Sequence, residues 1–132
     1  MVKLLNPESW KKPKGYSNGV MVQGQQIYLA GQVGWNADEV FESLEFLPQC
    51  QQILENIVAI LAQANAKPEH LVRMTWYVVD KEKYLTQQAE LGRIYRNVIG
   101  NHFPAMTLVE VSGLIEVGAL LEVEATAVVP AE

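Results

Sequence analysis

Apolar residues recur along the chain with two different spacings, which predict helices and strands respectively. Residues 48–66 have the three- and four-residue spacing of an amphipathic helix, and Pro48 suits its first turn. Residues 84–98 show the same spacing, although Gly92 weakens this second helix. The apolar positions of the two helices are Cys50, Ile53, Leu54, Ile57, Leu61, Ala64, Tyr84, Leu91, Ile94, Tyr95 and Val98.

Five further segments are rich in β-branched and aromatic residues, which is typical of strands. The first two are separated by Gly24 and Gln25 and predict a hairpin. An irregular lead-in, 1–17, precedes them, and a long surface loop, 31–47, follows them. The order β-β-α-β-α-β-β predicts an α+β sandwich in which two helices cover one face of a mixed sheet. The predicted strands are 19–23, 26–31, 71–79, 105–111 and 119–129.

The last predicted strand has apolar residues on both of its faces. Side chains alternate along a strand, so Leu121 and Val123 share one face, while Leu120, Glu122 and Val128 share the other. Two helices cover only one sheet face, so an apolar second face predicts burial against other copies of the chain. We therefore expect a homo-oligomer. The alternative is an edge strand with a few exposed apolar residues.

Length, charge and cysteine content exclude several classes of function. The chain of 132 residues fits one domain, 1–132. Fifteen acidic and ten basic residues leave a net charge of -5, which disfavours binding to RNA or DNA phosphates. We expect a cytoplasmic protein without membrane attachment, because no apolar run could span a bilayer and the first residues lack a signal-peptide core. One cysteine and two distant histidines give no metal-ligand spacing, and the common phosphate, dinucleotide and hydrolase motifs are absent.

Few residues remain as candidates for chemistry. Glu122 and Glu124 lie about 7 Å apart on one strand face, where a carboxylate can act as acid or base; the alternative is two solvated glutamates. His102 is a candidate base, although a single loop histidine is more often structural. Cys50 falls on the apolar stripe of the first helix, and we expect it to be a core residue.

Five blocks follow one another in a characteristic order: YLAGQV at 28–33, ILENI at 53–57, the strand and aspartate at 72–80, FPA at 103–105 and LEVEA at 121–125. In this order they resemble the RidA family, also called YjgF or L-PSP, over nearly the whole chain. The resemblance implies a chorismate-mutase-like fold and a homotrimer whose sheets face inward, with three small-molecule clefts between subunits. It also implies hydrolysis of reactive enamines and imines to a carbonyl compound and ammonia, with no cofactor.

The resemblance further assigns roles to individual residues. Glu122 matches the family's acidic residue on the last strand, so it is the predicted catalytic residue, as an acid or base or as the group that positions water. Tyr16 matches the family's tyrosine before the first strand. The residues predicted to bind substrate are Tyr16, Ala30, Gly31, Met106 and Thr107.

Two positions depart from the family's pattern. Met106 stands where the family has an arginine that holds the substrate carboxylate, and Ala30 stands where it has a serine. A thioether cannot donate a hydrogen bond, so we expect a less anionic ligand unless another arginine, such as Arg73 or Arg93, replaces the missing one. Two hypotheses follow: a hydrolase with altered substrate preference, and a metabolite-binding trimer without turnover. The endoribonuclease or translation-inhibitor activity also associated with the family would require a basic surface, which the composition disfavours.

Overall fold

The computed structural model of the protein describes residues 2–131, so the ends of the predicted 1–132 domain, Met1 and Glu132, lie outside the described residues. The chain runs through strands and helices in an order close to the predicted one, with a short 3₁₀ turn at Pro68–His70. The elements are β1 (Val2–Leu5), β2 (Gly19–Val22), β3 (Gly24–Val33), α1 (Phe46–Ala62), β4 (Leu71–Val78), α2 (Lys81–Leu85), α3 (Gln88–Val98), β5 (Ala105–Glu110) and β6 (Leu121–Pro130).

A mixed four-stranded sheet with the order β3-β6-β4-β5 forms the centre of the fold. β6 is antiparallel to both of its neighbours, whereas β4 and β5 are parallel. Helices α1 and α3 pack together over one face of the sheet, and the apolar core lies between the helices and this face. The arrangement confirms the predicted α+β class. Among the most deeply buried side chains are Ile53, Leu54, Ile57, Leu61, Met74, Val78, Leu121 and Val123.

The predicted hairpin is wrong, because the first predicted strand pairs with a different partner. β2 is antiparallel to β1, with Leu5 opposite Gly19, and these two strands form a separate sheet. β1 lies in the predicted irregular lead-in, and its four residues are all exposed, so it has no apolar alternation to reveal it. Gly24, the predicted turn residue, instead begins β3 opposite Pro130, where a Cβ would collide with the Val129 carbonyl oxygen.

The second predicted helix is two helices, α2 and α3. Asp80 caps the start of α2, since its side chain accepts a hydrogen bond of 3.0 Å from the Glu82 N–H. At its end, Thr86 Oγ1 donates to the Glu82 carbonyl and Gln87 Nε2 donates to the Lys83 carbonyl. The Glu82 carbonyl also accepts from the Thr86 N–H, whereas the Gln87 N–H bonds the Tyr84 carbonyl. At Lys83 the Gln87 side chain therefore replaces the backbone donor of a continuous helix. Within residues 2–131, no helix combines the length and hydrophobicity needed to cross a membrane.

The sheet face away from the helices, here called the open face, is mainly polar. This finding corrects the predicted apolar second face, because hydroxyl, amide and carboxylate groups occupy its middle. Val128 is buried, and Leu120 precedes β6 rather than belonging to it. The polar side chains whose strand positions place them on the open face are Gln26, Tyr28, Arg73, Thr75, Tyr77, Thr107, Glu122, Glu124 and Thr126.

A buried glutamine connects two long loops to α1. The Gln49 Nε2 donates hydrogen bonds of 3.1 and 2.9 Å to the carbonyls of Ser43 and Gly118, and its Oε1 accepts one of 2.9 Å from the Leu120 N–H. Gly34 approaches the same side chain so closely that a Cβ there would lie 2.6 Å from the Gln49 Cβ. Gln49 therefore fixes the loop before α1 and the loop that leads into β6.

We predict that Gln49→Leu destabilises the protein by about 3 kcal/mol, because it preserves the side-chain volume but leaves three partly buried backbone groups without their partner. Urea unfolding measures this loss. Gln51→Leu is the matched control, since Gln51 is exposed and bonds only its helix neighbour Glu55, and it should cost less than about 0.5 kcal/mol. Equal losses in the two variants would contradict the role assigned to Gln49.

Candidate functional site

The Glu122 carboxylate lies directly against the backbone of Gly31. Glu122 is half-buried on β6, opposite Val33 of β3 and Tyr77 of β4. The pairing of β3 with β6 shifts register between Leu29 and Gln32, which places Ala30 and Gly31 in a bulge. A Cβ at position 31 would collide with the Glu122 carboxylate, so only glycine leaves it this space. Gly31 and Glu122 are called the carboxylate half-site below.

The carboxylate half-site has polar neighbours on the open face. The Tyr77 hydroxyl donates a hydrogen bond of 2.5 Å to Glu124 Oε1, and this bond is the main reason that the pKa of Tyr77 is raised. The negative charges of Glu124 and Glu122 raise that pKa further, while Arg73 lowers it. Glu124 therefore has a structural partner on the open face, whereas no hydrogen bond from residues 2–131 reaches the Glu122 carboxylate.

A second group of predicted residues lies around a cavity of about 440 Å³ between α3 and the edge strand β5. Tyr16 reaches it because the Ser17 hydroxyl donates to the Phe103 carbonyl at 2.5 Å and the Ser17 N–H donates to the Pro104 carbonyl at 3.0 Å. Met106 lies on the helix side of β5. This space is called the Tyr16–Met106 cavity, and its apolar lining includes Tyr16, Trp76, Leu91, Phe103, Met106 and Leu108.

The charged groups of the Tyr16–Met106 cavity are cations, and one of its buried donors is unpaired. Trp76 is only 4% exposed, and its indole Nε1–H has no acceptor among residues 2–131. Lys14 and Arg96 also line the cavity, and no Asp or Glu of residues 2–131 does. The lining therefore suits a ligand with an apolar body and hydrogen-bond acceptors or negative charge.

The predicted site residues thus fall into two groups that one chain does not bring together. Met106 faces the helices, whereas Glu122 faces the open side of the sheet, as their positions opposite Met74 and Tyr77 show. Thr107, next to Met106, is exposed and faces the open side. A single site containing all the predicted residues would therefore need a second copy of the chain.

Cys50 and His102, the two other candidates for chemistry, have surroundings that fit structural roles. Cys50 is fully buried on α1, and desolvation raises the pKa of its thiol to about 12, so it is not a nucleophile at neutral pH. His102 Nε2 lies 2.7 Å from the Leu71 carbonyl, and the His102 carbonyl accepts a hydrogen bond from the Tyr95 hydroxyl. Within residues 2–131, no group of three or more His, Cys, Asp or Glu could hold a metal ion.

Sequence reasoning did not single out Trp76, Lys14 or Arg96 as lining residues. Trp76 is an ordinary strand residue in the sequence, and Lys14 is one of several lysines in the lead-in. One signal was present, because Arg96 lies four residues after Gly92 and therefore on the same helix face as this unusual interior glycine.

Comparison with known proteins identifies the family to which this chain belongs. The chain belongs to the L-PSP family, also called Rid or YjgF, since residues 8–129 match the family described as Endoribonuclease L-PSP. A RutC family protein of Pyrococcus abyssi is 34% identical over 110 residues, which are 81% of this chain and 82% of that protein. These matches confirm the family predicted from the five sequence blocks.

Solved structures agree with this result. YyfB of the conserved Rid protein family from Yersinia pestis has a TM-score of 0.82 and 32% identity, covering 97% of this chain and 98% of that one. RidA from the Antarctic bacterium Psychrobacter sp. PAMC 21119 has a TM-score of 0.69 and 24% identity, covering 96% of this chain and 98% of that one. The second likeness supports the fold alone.

We predict that Gly31→Ala changes the stability of the protein by less than about 1 kcal/mol, because the colliding carboxylate ends a flexible side chain that can move. The variant should nevertheless displace Glu122 from the bulge. A double-mutant cycle with Glu122→Ala measures the coupling by urea unfolding, and Gly31→Ala should cost less when the glutamate is absent. Additive losses would contradict the contact between Gly31 and Glu122.

Proposed function

We propose that the protein is a cytoplasmic homotrimer that hydrolyses reactive enamines or imines to a carbonyl compound and ammonia in clefts between its subunits. The observation that carries this proposal is the separation of the predicted site into the carboxylate half-site and the Tyr16–Met106 cavity. A cleft that joins the half-site of one copy to the cavity of the next would complete the site. Membership of the L-PSP family and the resemblance to RidA support this arrangement.

The outer edge of β5 is a suitable place for a second copy to approach. β5 is the last strand of its sheet, and Ser17 bridges only to Ala105 at its beginning. Between Met106 and Glu110, no strand of residues 2–131 pairs with this edge. The cavity opens beside the same edge, so a neighbouring chain there would both cover the strand and close the cleft.

Glu122 would carry out the proton transfers of the reaction. It would donate a proton to the enamine carbon, which converts the enamine to an iminium ion, and then accept a proton from the water that attacks the iminium carbon. Collapse of the resulting carbinolamine breaks the C–N bond, so that ammonia leaves and a carbonyl remains. These steps consume one water and require no redox group.

Met106 would change the preferred substrate relative to family members with an arginine at this position. Met106 lines the cavity together with Trp76, Leu91 and Leu108, and flexible methionine adapts to irregular apolar groups. We therefore expect substrates with a larger apolar body. The second candidate function is metabolite binding without turnover, which the absence of donor side chains at Ala30 and Met106 favours.

RNA cleavage is the third candidate, because the family description includes the word endoribonuclease. The chain has a net charge of -5, and the open face carries two acidic side chains, Glu122 and Glu124, against one cation, Arg73. Such a surface repels phosphates rather than attracting them. We therefore do not favour this function.

If the protein is a trimer, light scattering should give a mass of about 44 kDa, which is three times the 14.8 kDa of one chain. Thr75→Lys should shift this mass toward that of one chain, because it places a charge in the middle of the inward-facing open face. Asn97→Lys is the control, since Asn97 is exposed on α3, and it should leave the mass unchanged. A wild-type monomer near 15 kDa would overturn both the trimer and the shared cleft.

The hydrolase predicts ammonia release above the uncatalysed rate from freshly generated enamines and imines. Glu122→Gln should lower the catalysed rate by about 10²-fold or more, because the amide cannot transfer the proton. Glu124→Gln is the control, since it makes the same chemical change two residues away on the same face, and it should retain most of the rate. If the wild type releases no ammonia above the background, the hydrolase is wrong and the metabolite-binding trimer becomes the better candidate.

A further inference from the structure

We propose that Arg96 replaces the missing arginine of the family and holds the carboxylate of the ligand in the Tyr16–Met106 cavity. This inference relies on the proposed function only for the location of the cleft. Met106 alone leads to the expectation of a less anionic ligand. With Arg96 in this role, the expected ligand is instead a carboxylate with an apolar body.

Arg96 has the position that this role requires. It lies on α3 and lines the same cavity as Tyr16 and Met106, but on the helix side rather than on β5. Its Nη1 is so close to the backbone of Gly92 that a Cβ there would lie 3.2 Å away. The guanidinium therefore extends along the helix over Gly92, which also lines the cavity.

Gly92 supports the same interpretation. A glycine in the interior of a helix is less favourable than an alanine. The chain has this glycine at the point where the Arg96 guanidinium packs on the cavity wall. The lack of a side chain leaves the guanidinium room to reach the cavity.

The guanidinium of Arg96 is available to a ligand. Within residues 2–131, Arg96 makes no hydrogen bond or ion pair, whereas Arg93 on the preceding turn bonds Glu90 at 2.9 Å. Arg73 does not line the cavity and is close enough to Tyr77 of the open face to lower its pKa. Of the three arginines, only Arg96 lines the cavity, so the two alternatives considered from the sequence are less suitable.

The charge of the cavity also differs from that of the chain. The chain has a net charge of -5, yet the charged residues around the cavity are the cations Lys14 and Arg96. A guanidinium presents parallel donors that match a carboxylate, while Lys14 adds a positive charge to the same cavity. The apolar side chains of Trp76, Leu91 and Leu108 would receive the body of the ligand.

A stable 2-oxo acid tests this inference without turnover. The probe is 4-methyl-2-oxopentanoate, which has a carboxylate and a branched apolar body, and its methyl ester is the uncharged comparison. Calorimetric titration of the 132-residue chain at low salt measures both affinities. Wild-type protein should bind the acid more tightly than the ester, and added salt should weaken only the binding of the acid.

Arg96→Gln should weaken binding of the acid about tenfold or more and leave binding of the ester nearly unchanged, because it removes a charge-assisted pair. Arg93→Gln is the matched control, since Arg93 follows Gly92 on the same helix but does not line the cavity. The control removes the same charge from α3. Adding Met106→Arg to Arg96→Gln should restore binding of the acid, because it returns a cation to the cavity from β5.

Three results would overturn the role of Arg96: no saturable binding of the acid, equal losses in Arg96→Gln and Arg93→Gln, or unchanged binding in Arg96→Gln. The proposed hydrolase fails separately. Wild-type protein that binds the acid through Arg96 but releases no ammonia from any imine would retain the carboxylate site and exclude the hydrolase.

Discussion

The structure depends on the pairing of β6 with two neighbours at once. β6 lies between β3 and β4, antiparallel to both, and its alternate residues Leu121, Val123 and Ala125 are buried beneath the helices. Burial of a large aliphatic side chain contributes about 1.5–3 kcal/mol, so a slip by one residue would lose several such contributions at once. The register of β6 is therefore strongly specified by its helix-facing side.

The same register determines the position of Glu122. Because side chains alternate, a strand that buries Leu121 and Val123 must present Glu122 to the open face. The bulge at Ala30 and Gly31 in β3 then leaves the carboxylate room against a bare backbone. The core and the carboxylate half-site are thus consequences of one strand register, even though they lie on opposite sides of the sheet.

In the proposed trimer, the division of the predicted site between two faces would link the proposed chemistry to assembly. Each copy would supply a carboxylate at one place and an apolar cavity with cations at another. Only in the oligomer would the proton-transfer group, Glu122, meet the ligand-binding groups of the Tyr16–Met106 cavity. The open face is polar, so the exposed edge of β5 and the incomplete site, rather than a large apolar surface, are the reasons to expect association.

Local pattern predicted the helix α1, the strands β4 and β6 and the alternation of side chains along β6, because these elements bury a periodic apolar side that the sequence displays directly. It missed β1, whose residues are all exposed, and the break between α2 and α3, where the Gln87 N–H bonds the Tyr84 carbonyl and the Gln87 side chain bonds the Lys83 carbonyl. The sequence by itself determined the fold class, the family and the candidate residues Glu122 and Met106. Only the tertiary structure decided that these two residues face opposite sides of the sheet and that Arg96 joins Met106 at one cavity. The physical reason is that both results depend on strand pairing and helix packing between distant parts of the chain, which no local spacing specifies.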